Sequence, residues 1–485
     1  MISASTQVTN AADEPLGSSA AGIMTPMGER VRAEAAAALG RWTAPEEVYA
    51  RGRALRSSVD FKAHRAVSLA QDRPSVEQYV HASNEDRLEH LVPLRIGRML
   101  ANPFAFFRGA AGLQAGDLAA GCATGLHAQL CGDAHAANFG LYGTAEGQIV
   151  MDINDFDETL PGPWEWDLKR LVASLVLAGR VGGVSDKGCR DAAEDAVRAY
   201  RTVIQHLAEI PFMDSWSALG DESTLSQVKA DDLLNDFSKA AEKSRKNTSA
   251  RFAAKWTTHD GEKWRFITNP PTFTDVTQET QEAVISALPS YVDSLRESRR
   301  NLIMRYGVSD VAFRVVGTGS VGLRNYLVLL HGNGDEALVL QAKQARASAL
   351  QPFLDVDPPK HDGKRIVHGA RLVQAETDIL LGWTTIEGRP FIVRQFRNRK
   401  GQIDPTTLKR DDLDDYGRFA GALLARAHTR SLDPRLLAGY FQNGCGEDLD
   451  EAFAKYAFGY ADRTEADHAE LVRLVKNGKL PAHVE

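Results

Sequence analysis

Cysteine is scarce in this sequence. Four residues in 485, Cys122, Cys131, Cys189 and Cys445, show no Cys-x-x-Cys spacing. That excludes a disulfide scaffold and a four-thiolate zinc site, so free thiols in a reducing cytoplasm are expected. Long apolar runs are missing too: "LVASLVLAG" at 171–179 is too short to span a bilayer. The opening "MISASTQVTNAADEPLGSSAAG" lacks the basic and apolar stretches of a secretory signal. A cytoplasmic protein without a membrane partner is the expectation. There is no basic excess either. A net charge of −7 and a pI near 6.0 argue against coating nucleic acid. What is present is ordinary: 43% hydrophobic and 25% charged residues support a packed core. The length suits two or three domains, or one two-lobed enzyme.

Patterning divides the chain. Residues 1–30 are small and polar and read as a disordered tail. Residues 31–310 read as a mainly helical region, with helices expected near 86–100, 104–120, 165–208, 221–262 and 280–305. Inside it, "GLHAQLCGD" reads as a short strand entering a loop, and "NFGLYGT" with "GQIVMDIND" as a hairpin around "TAEG". "TNPPTFTDVT" reads as a loop. From 311 to 410 the texture becomes β-branched and glycine-rich, with the turn "HGNGDE", a helix near 364–378 and two strands in "ILLGWTTIEGRPFIVRQF". Residues 411–485 return to helix.

Chemistry concentrates in three places. Gly317, Gly319 and Gly322 form Gly-x-Gly-x-x-Gly, with Thr318 and Ser320 between them. That motif is weak alone, and a hairpin whose glycines only relieve a turn satisfies it equally. However, "LRNYLVLL" follows as a strand, and Lys343 falls on the next strand, 21 residues after Gly322. A glycine-rich turn between antiparallel strands, then a lysine on the following strand, is how protein kinases hold ATP phosphates. Asp133 and Asn138 stand five apart in "CGDAHAANFG", the spacing of a kinase catalytic loop. "MDINDFDE" then crowds acids together. Asp155 suits a metal-binding aspartate and Asp157 a second magnesium contact, because crowded carboxylates call for a cation.

These stretches resemble a known family. "GDAHAAN" is similar to the catalytic loop of aminoglycoside phosphotransferases and related small-molecule kinases, and "DFDETLPGPWEWDL" to their metal-aspartate segment. By that resemblance Asp167 braces the catalytic loop, and "YGRFAGALLARAHTRS" corresponds to the helix that precedes it. From about residue 86 the chain also resembles an uncharacterised bacterial family, through "LVPLRIGRML", "FAFFRGAA" and "DINDFDETLPGPWEWDLKR". The order departs from ordinary kinases, since the catalytic and metal loops precede the glycine loop and lysine. Cys131 also stands where kinases often carry His or Tyr. The implied fold is α+β and two-lobed, protein-kinase-like in circularly permuted order, with a small antiparallel β lobe and a large helical lobe. Permutation requires residues 411–485 to pack beside 86–170.

The resulting expectation is an ATP- and Mg2+-dependent phosphotransferase acting on a hydroxyl. Asp133 would orient the acceptor, while Asn138, Asp155 and Asp157 hold magnesium. Lys343 and residues 317–322 would hold phosphates, with Glu376 partnering the lysine, ahead of Asp378 and Gln374. Adenine is expected near "VRQF" at 393–396. Alternatives are a nucleotide-binding pseudokinase-like module, a nucleotidyl transferase, or a metal hydrolase built from His127, Asp133, His135 and Asp155. His135 reads first as a structural histidine, Trp164 and Trp166 as core anchors, and "RQFRNRKG" as a solvated turn. Ser174 and Ser320 have no base near them in sequence, so nucleophilic catalysis finds no support.

Overall fold

The computed structural model describes residues 42–217, 229–230, 233–259, 261, 263–317, 319–442 and 446–484. The expected tail at 1–30, Thr318 and Cys445 lie outside these residues. The fold is mixed α+β, about 53% helix and 15% strand, with small antiparallel sheets. No described helix is long and apolar enough to cross a membrane.

Four short strands come first: β1 (His127–Gln129), β2 (Phe139–Gly143), β3 (Ile149–Ile153) and β4 (Pro161–Pro163). β2 and β3 form the hairpin read around "TAEG", and β1 pairs with β4. Strands β5 (Thr257–His259) and β6 (Trp264–Phe266) pair next, and a larger antiparallel sheet follows in the order β11-β12-β10-β9-β8-β7. Its strands are β7 (Phe273–Asp275), β8 (Gly307–Arg314), β9 (Asn325–His331), β10 (Ala337–Gln344), β11 (Gly382–Ile386) and β12 (Arg389–Gln395). β7 lies in the stretch read as a loop. Three residues are too few for periodicity to show, and the strand forms by pairing Phe273 with Arg314 of β8.

"NYLVLL" is continuously apolar because β9 is covered on both faces. Val328 and Leu330 join one buried cluster with Leu338 and Leu340, whereas Leu327 and Leu329 join another with Val339, Phe252 and Phe273. Of two successive helices, α1 (Leu234–Arg245) packs on the β2–β3 hairpin, and α2 (Ser249–Trp256), which carries Phe252, lies against the sheet. Helix α3 (Asp362–Val373) lies farther along the same face, against Trp383 and Ile392, and joins the sheet to the main core through Ile366, Val367, Ala370 and Val373, whereas Val284, Tyr291 and Ile303 cover the opposite face.

That core is helical. Helix Trp164–Val181 is buried along nearly its whole length, with Trp164 fully enclosed and stacked on Tyr200 at 5.6 Å. Helices Asp186–Glu209 and Arg410–Thr429 run against each other at close range. Small residues at four-residue spacing permit this, since a Cβ at Gly421 would sit 2.2 Å from the Ala196 carbonyl oxygen. The later helix also grips the hairpin. Arg426 pairs with Asp152 of β3, and the Tyr416 hydroxyl donates to the Ala136 carbonyl. Helix Arg410–Thr429 thus packs beside the loop and hairpin at 136–153.

Several expected helices are broken where local chemistry dictates. The stretch 104–120 divides at Gly109 into Pro103–Arg108 and Ala111–Ala119. The stretch 86–100 is helical over Val92–Leu100, with Pro93 in its first turn where no amide partner is lost. The stretch 280–305 becomes three short helices, Gln278–Ser286, Leu288–Ser294 and Glu297–Ile303.

Candidate active site

The loop at 131–138 is held by an acid inside the adjoining helix. Asp167 accepts from the amides of Cys131 and Gly132, at 2.8 and 3.0 Å, and meets His428 Nε2 at 3.3 Å. Gly132 has φ +81°, and a Cβ there would lie 2.3 Å from the Glu158 carbonyl oxygen. Only glycine meets both demands. The turn sets Asp133 against Arg170, whose Nε donates to the carboxylate. Arg170 is itself fixed by Gln114 Oε1, the Phe107 carbonyl and the Phe107 ring. Loss of water raises the Asp133 carboxyl above its usual value, against the pull of Arg170.

Asn138 clasps this loop to the acidic one. Its Nδ2 donates to the carbonyls of Asp133 and Asp155, at 2.9 and 3.0 Å, and its Oδ1 accepts from the Asp155 amide at 2.9 Å. The antiparallel hairpin delivers Asp155 and Asp157 to the same side. Lys343 arrives from β10, where it pairs in register with Asn325, three residues beyond Gly322. Its ammonium stands 3.1 Å from Asp155 Oδ2 and 2.6 Å from Asp157 Oδ2. Residues nearly 190 apart in the chain therefore share one ion cluster.

The electrostatics of the cluster are asymmetric. Lys343 is 2% exposed, Asp155 45% and Asp157 28%. Desolvation and the Asp155 charge push the Asp157 carboxyl up to about 6. Desolvation acts upward on Asp155 too, but Lys343 and Arg394 hold it below the usual carboxylate range. Desolvation would lower Lys343, and the two aspartates more than reverse this. Asp157 Oδ1 is buried without a hydrogen-bond partner. That orphaned oxygen, within a pair carrying more negative than positive charge, suits a hard cation. Among the described residues no three His, Cys, Asp or Glu side chains converge on a metal-sized point. Two carboxylates are too few ligands alone, so a magnesium-type ion here would need further oxygens, and the His127, Asp133, His135 and Asp155 grouping does not assemble among the described residues.

The remaining expected residues fall as follows. Gly317 and Gly319 are exposed in the β8–β9 turn, with open space where a Cβ would stand. Ser320 and Gly322 are buried. Glu376 stays apart from Lys343, and its carbonyl accepts from the Tyr142 hydroxyl. The lysine is satisfied by the aspartates instead. Gln374 donates to the Ile153 carbonyl at 2.6 Å, and Asp378 accepts from the Gln395 amide at 2.7 Å. His135 is buried, and loss of water with Arg108 nearby keeps its ring neutral.

Sequence reasoning missed Lys400. The stretch 394–401, expected as a solvated turn, is bound back to the hairpin by two Leu141–Gly401 backbone bonds of 2.8 and 2.9 Å. Lys400 lines a narrow cavity of about 50 Å3 beside Asp155, together with Tyr142, Ile392, Arg394 and Asp378. It also lines an adjoining cleft of about 890 Å3, whose walls include Lys243, Lys246, Arg251, Lys255 and Arg397. Burial and Arg394 bring its ammonium down to about 7, against Asp378 and Asp155. Three cations following an expected strand, Arg397, Arg399 and Lys400, were the available signal. Arg170 carried none, because its role depends on a helix turn meeting a distant loop.

A family model described as an uncharacterized protein conserved in bacteria (DUF2252) matches residues 87–474. No curated protein and no solved structure matches the chain.

Proposed function

We propose, from the premise that the chain belongs to the bacterial DUF2252 family, that it is an ATP- and Mg2+-dependent phosphotransferase of kinase-like, circularly permuted fold, working in the cytoplasm on a hydroxyl-bearing acceptor. One observation carries the reading. Lys343, on the strand after the glycine turn, meets both acids of the loop that follows the Asp133–Asn138 pair. A phosphate-binding cation, two metal-type carboxylates and a loop aspartate share one locality.

In this reading the acceptor hydroxyl hydrogen-bonds to Asp133, which Arg170 keeps in a fixed orientation. The hydroxyl oxygen bonds to the γ-phosphorus and its proton passes to the Asp133 carboxylate. The bond from that phosphorus to the bridging oxygen breaks, and ADP leaves with the electron pair. Lys343 and the amides of 317–322 neutralise the phosphate oxygens as charge shifts toward ADP. Asp155, Asp157 and Asn138 would hold a magnesium ion, which would supply further neutralisation of the phosphates. The narrow cavity beside Ile392 and Arg394 suits the base end, and the basic cleft draws a polyanion toward it.

Product analysis tests the assignment. The expected result is slow ADP formation from MgATP, lost in Asp133→Asn and Lys343→Met while both variants stay folded. Pyrophosphate as the product would replace phosphoryl transfer with nucleotidyl transfer. Nucleotide binding without any turnover would favour the pseudokinase-like module.

A further inference from the structure

Three guanidinium groups converge on one serine beside the glycine turn. Arg87 Nε and Arg346 Nη1 donate to the Ser83 carbonyl oxygen at 2.9 and 3.1 Å, and Arg95 Nη1 donates to Ser83 Oγ at 3.1 Å. Their other partners are neutral: the Val321 carbonyl for Arg87, and Asn84 Oδ1 with the Gly109 carbonyl for Arg95. None of the three forms an ion pair with a described residue. Arg95 is 2% exposed, and its Nε has no hydrogen-bond partner.

Like charges packed this closely and removed from water repel, and the protein supplies little to offset them. Burial and the neighbouring guanidiniums lower Arg87 to about 8, while burial lowers Arg95 to about 10. The acid whose field reaches Arg87 is Glu158, whose carboxylate is already engaged by the Ala349 amide. Glu158 also feels the charge of Asp133, so the fields of the loop aspartate and of Arg87 both reach it. Arg108, whose field reaches Asp133, likewise has a buried Nε without a partner. The cluster also touches the glycine turn through Val321. Several planar donors around one point suit the oxygens of a phosphate monoester, which guanidinium forks bind in pairs.

We propose that Arg87, Arg95 and Arg346 hold a phosphate monoester group on the acceptor, which makes the acceptor a phosphorylated alcohol. The inference rests on the phosphotransferase reading and narrows it. The acceptor's free hydroxyl attacks the γ-phosphorus of ATP, Asp133 takes the hydroxyl proton, and ADP departs. The anchored phosphate monoester keeps all its bonds and serves only to position the molecule.

Inorganic phosphate is the probe, titrated calorimetrically into the full chain without ATP or magnesium, at an ionic strength fixed with chloride. Saturable binding is expected. Arg346→Gln should weaken it at least about tenfold, the effect of losing a charge-assisted hydrogen bond. Arg87→Lys keeps the charge but removes the fork, so it should weaken binding with less risk to folding. Thermal midpoints without phosphate report whether each variant is folded. Phosphate held at Lys343 instead would be lost in Lys343→Met alone, which separates the nucleotide end of the site from the arginine cluster. The proposal is overturned if the wild type shows no saturable binding. It is equally overturned if Arg346→Gln and Arg87→Lys bind as the wild type does, or if only Lys343→Met loses binding. Retained MgATP binding in the same preparation would then leave the phosphotransferase reading standing while the acceptor inference falls.

Discussion

Replacing Lys343 with methionine removes the cation between two acids while keeping most of the side-chain length. In the present geometry Asp155 and Asp157 stand 3.1 and 2.6 Å from the ammonium. Without it the carboxylates face each other, and Asp157 already titrates near 6. Removing one partner of a fully buried pair costs about 3–5 kcal/mol. Here the acids are 45% and 28% exposed, so solvent screens much of the repulsion and about 2 kcal/mol is the working figure. That corresponds to a fall in Tm of roughly 4–8 °C for the cooperative unit. The informative assay is thermal unfolding with and without millimolar magnesium. In the wild type the lysine already compensates the acids, so magnesium alone should change Tm little. In Lys343→Met the ion can take the vacated role, and most of the deficit should return. A deficit of equal size with and without magnesium would refute the claim that these acids form a cation site. No deficit at all would refute the ion cluster itself.

Three further outcomes follow from the same geometry. Gly132→Ala should cost at least about 2 kcal/mol in urea unfolding, since it meets both a left-handed backbone and the Glu158 carbonyl; a neutral result would contradict the loop geometry. Arg426→Leu strands Asp152, 1% exposed, beneath the hairpin and should cost about 3–5 kcal/mol by the same measurement. The third concerns pH. Asp157 is raised from 3.8 to about 6, so between those values the folded chain holds a proton that the unfolded chain has released. This group therefore stabilises the metal-free fold as pH falls through that window, while the same proton competes with a cation. The magnesium dependence of ATP affinity should fall up to about tenfold per pH unit below about 6, measured by calorimetry in matched buffers; a flat profile would remove Asp157 from the site.

Legibility in the sequence followed the range of the interactions. The hairpin at 139–153 was readable because apolar alternation flanks a turn signal, and helix Arg410–Thr429 because its apolar stripe is long. The β8–β9–β10 meander was readable for the same reason. Asp133, Asn138, Asp155 and Lys343 stood out through local spacing, and they come together. The lysine's partner did not. Glu376 was favoured because an acid on the following helix was expected, but α3 ends at Val373 and presents no acid to Lys343. The aspartates take that place, a choice set by how the sheet sits over the hairpin. Strand β7, Arg170 and Arg346 were invisible for a related reason, since each acquires its role from a contact more than twenty residues away. Lys400 was misjudged because a basic turn is usually solvated, and only the Leu141–Gly401 bonds draw it inward.

The central claim is that the acid cluster and the glycine turn serve one nucleotide. Calorimetric titration of ATP into the wild type and Asp155→Asn, each with and without magnesium, tests it most directly. Magnesium-dependent binding in the wild type that collapses in Asp155→Asn is the predicted result. No ATP binding by folded wild type under any metal condition, or equal binding by the folded variant, would contradict the account.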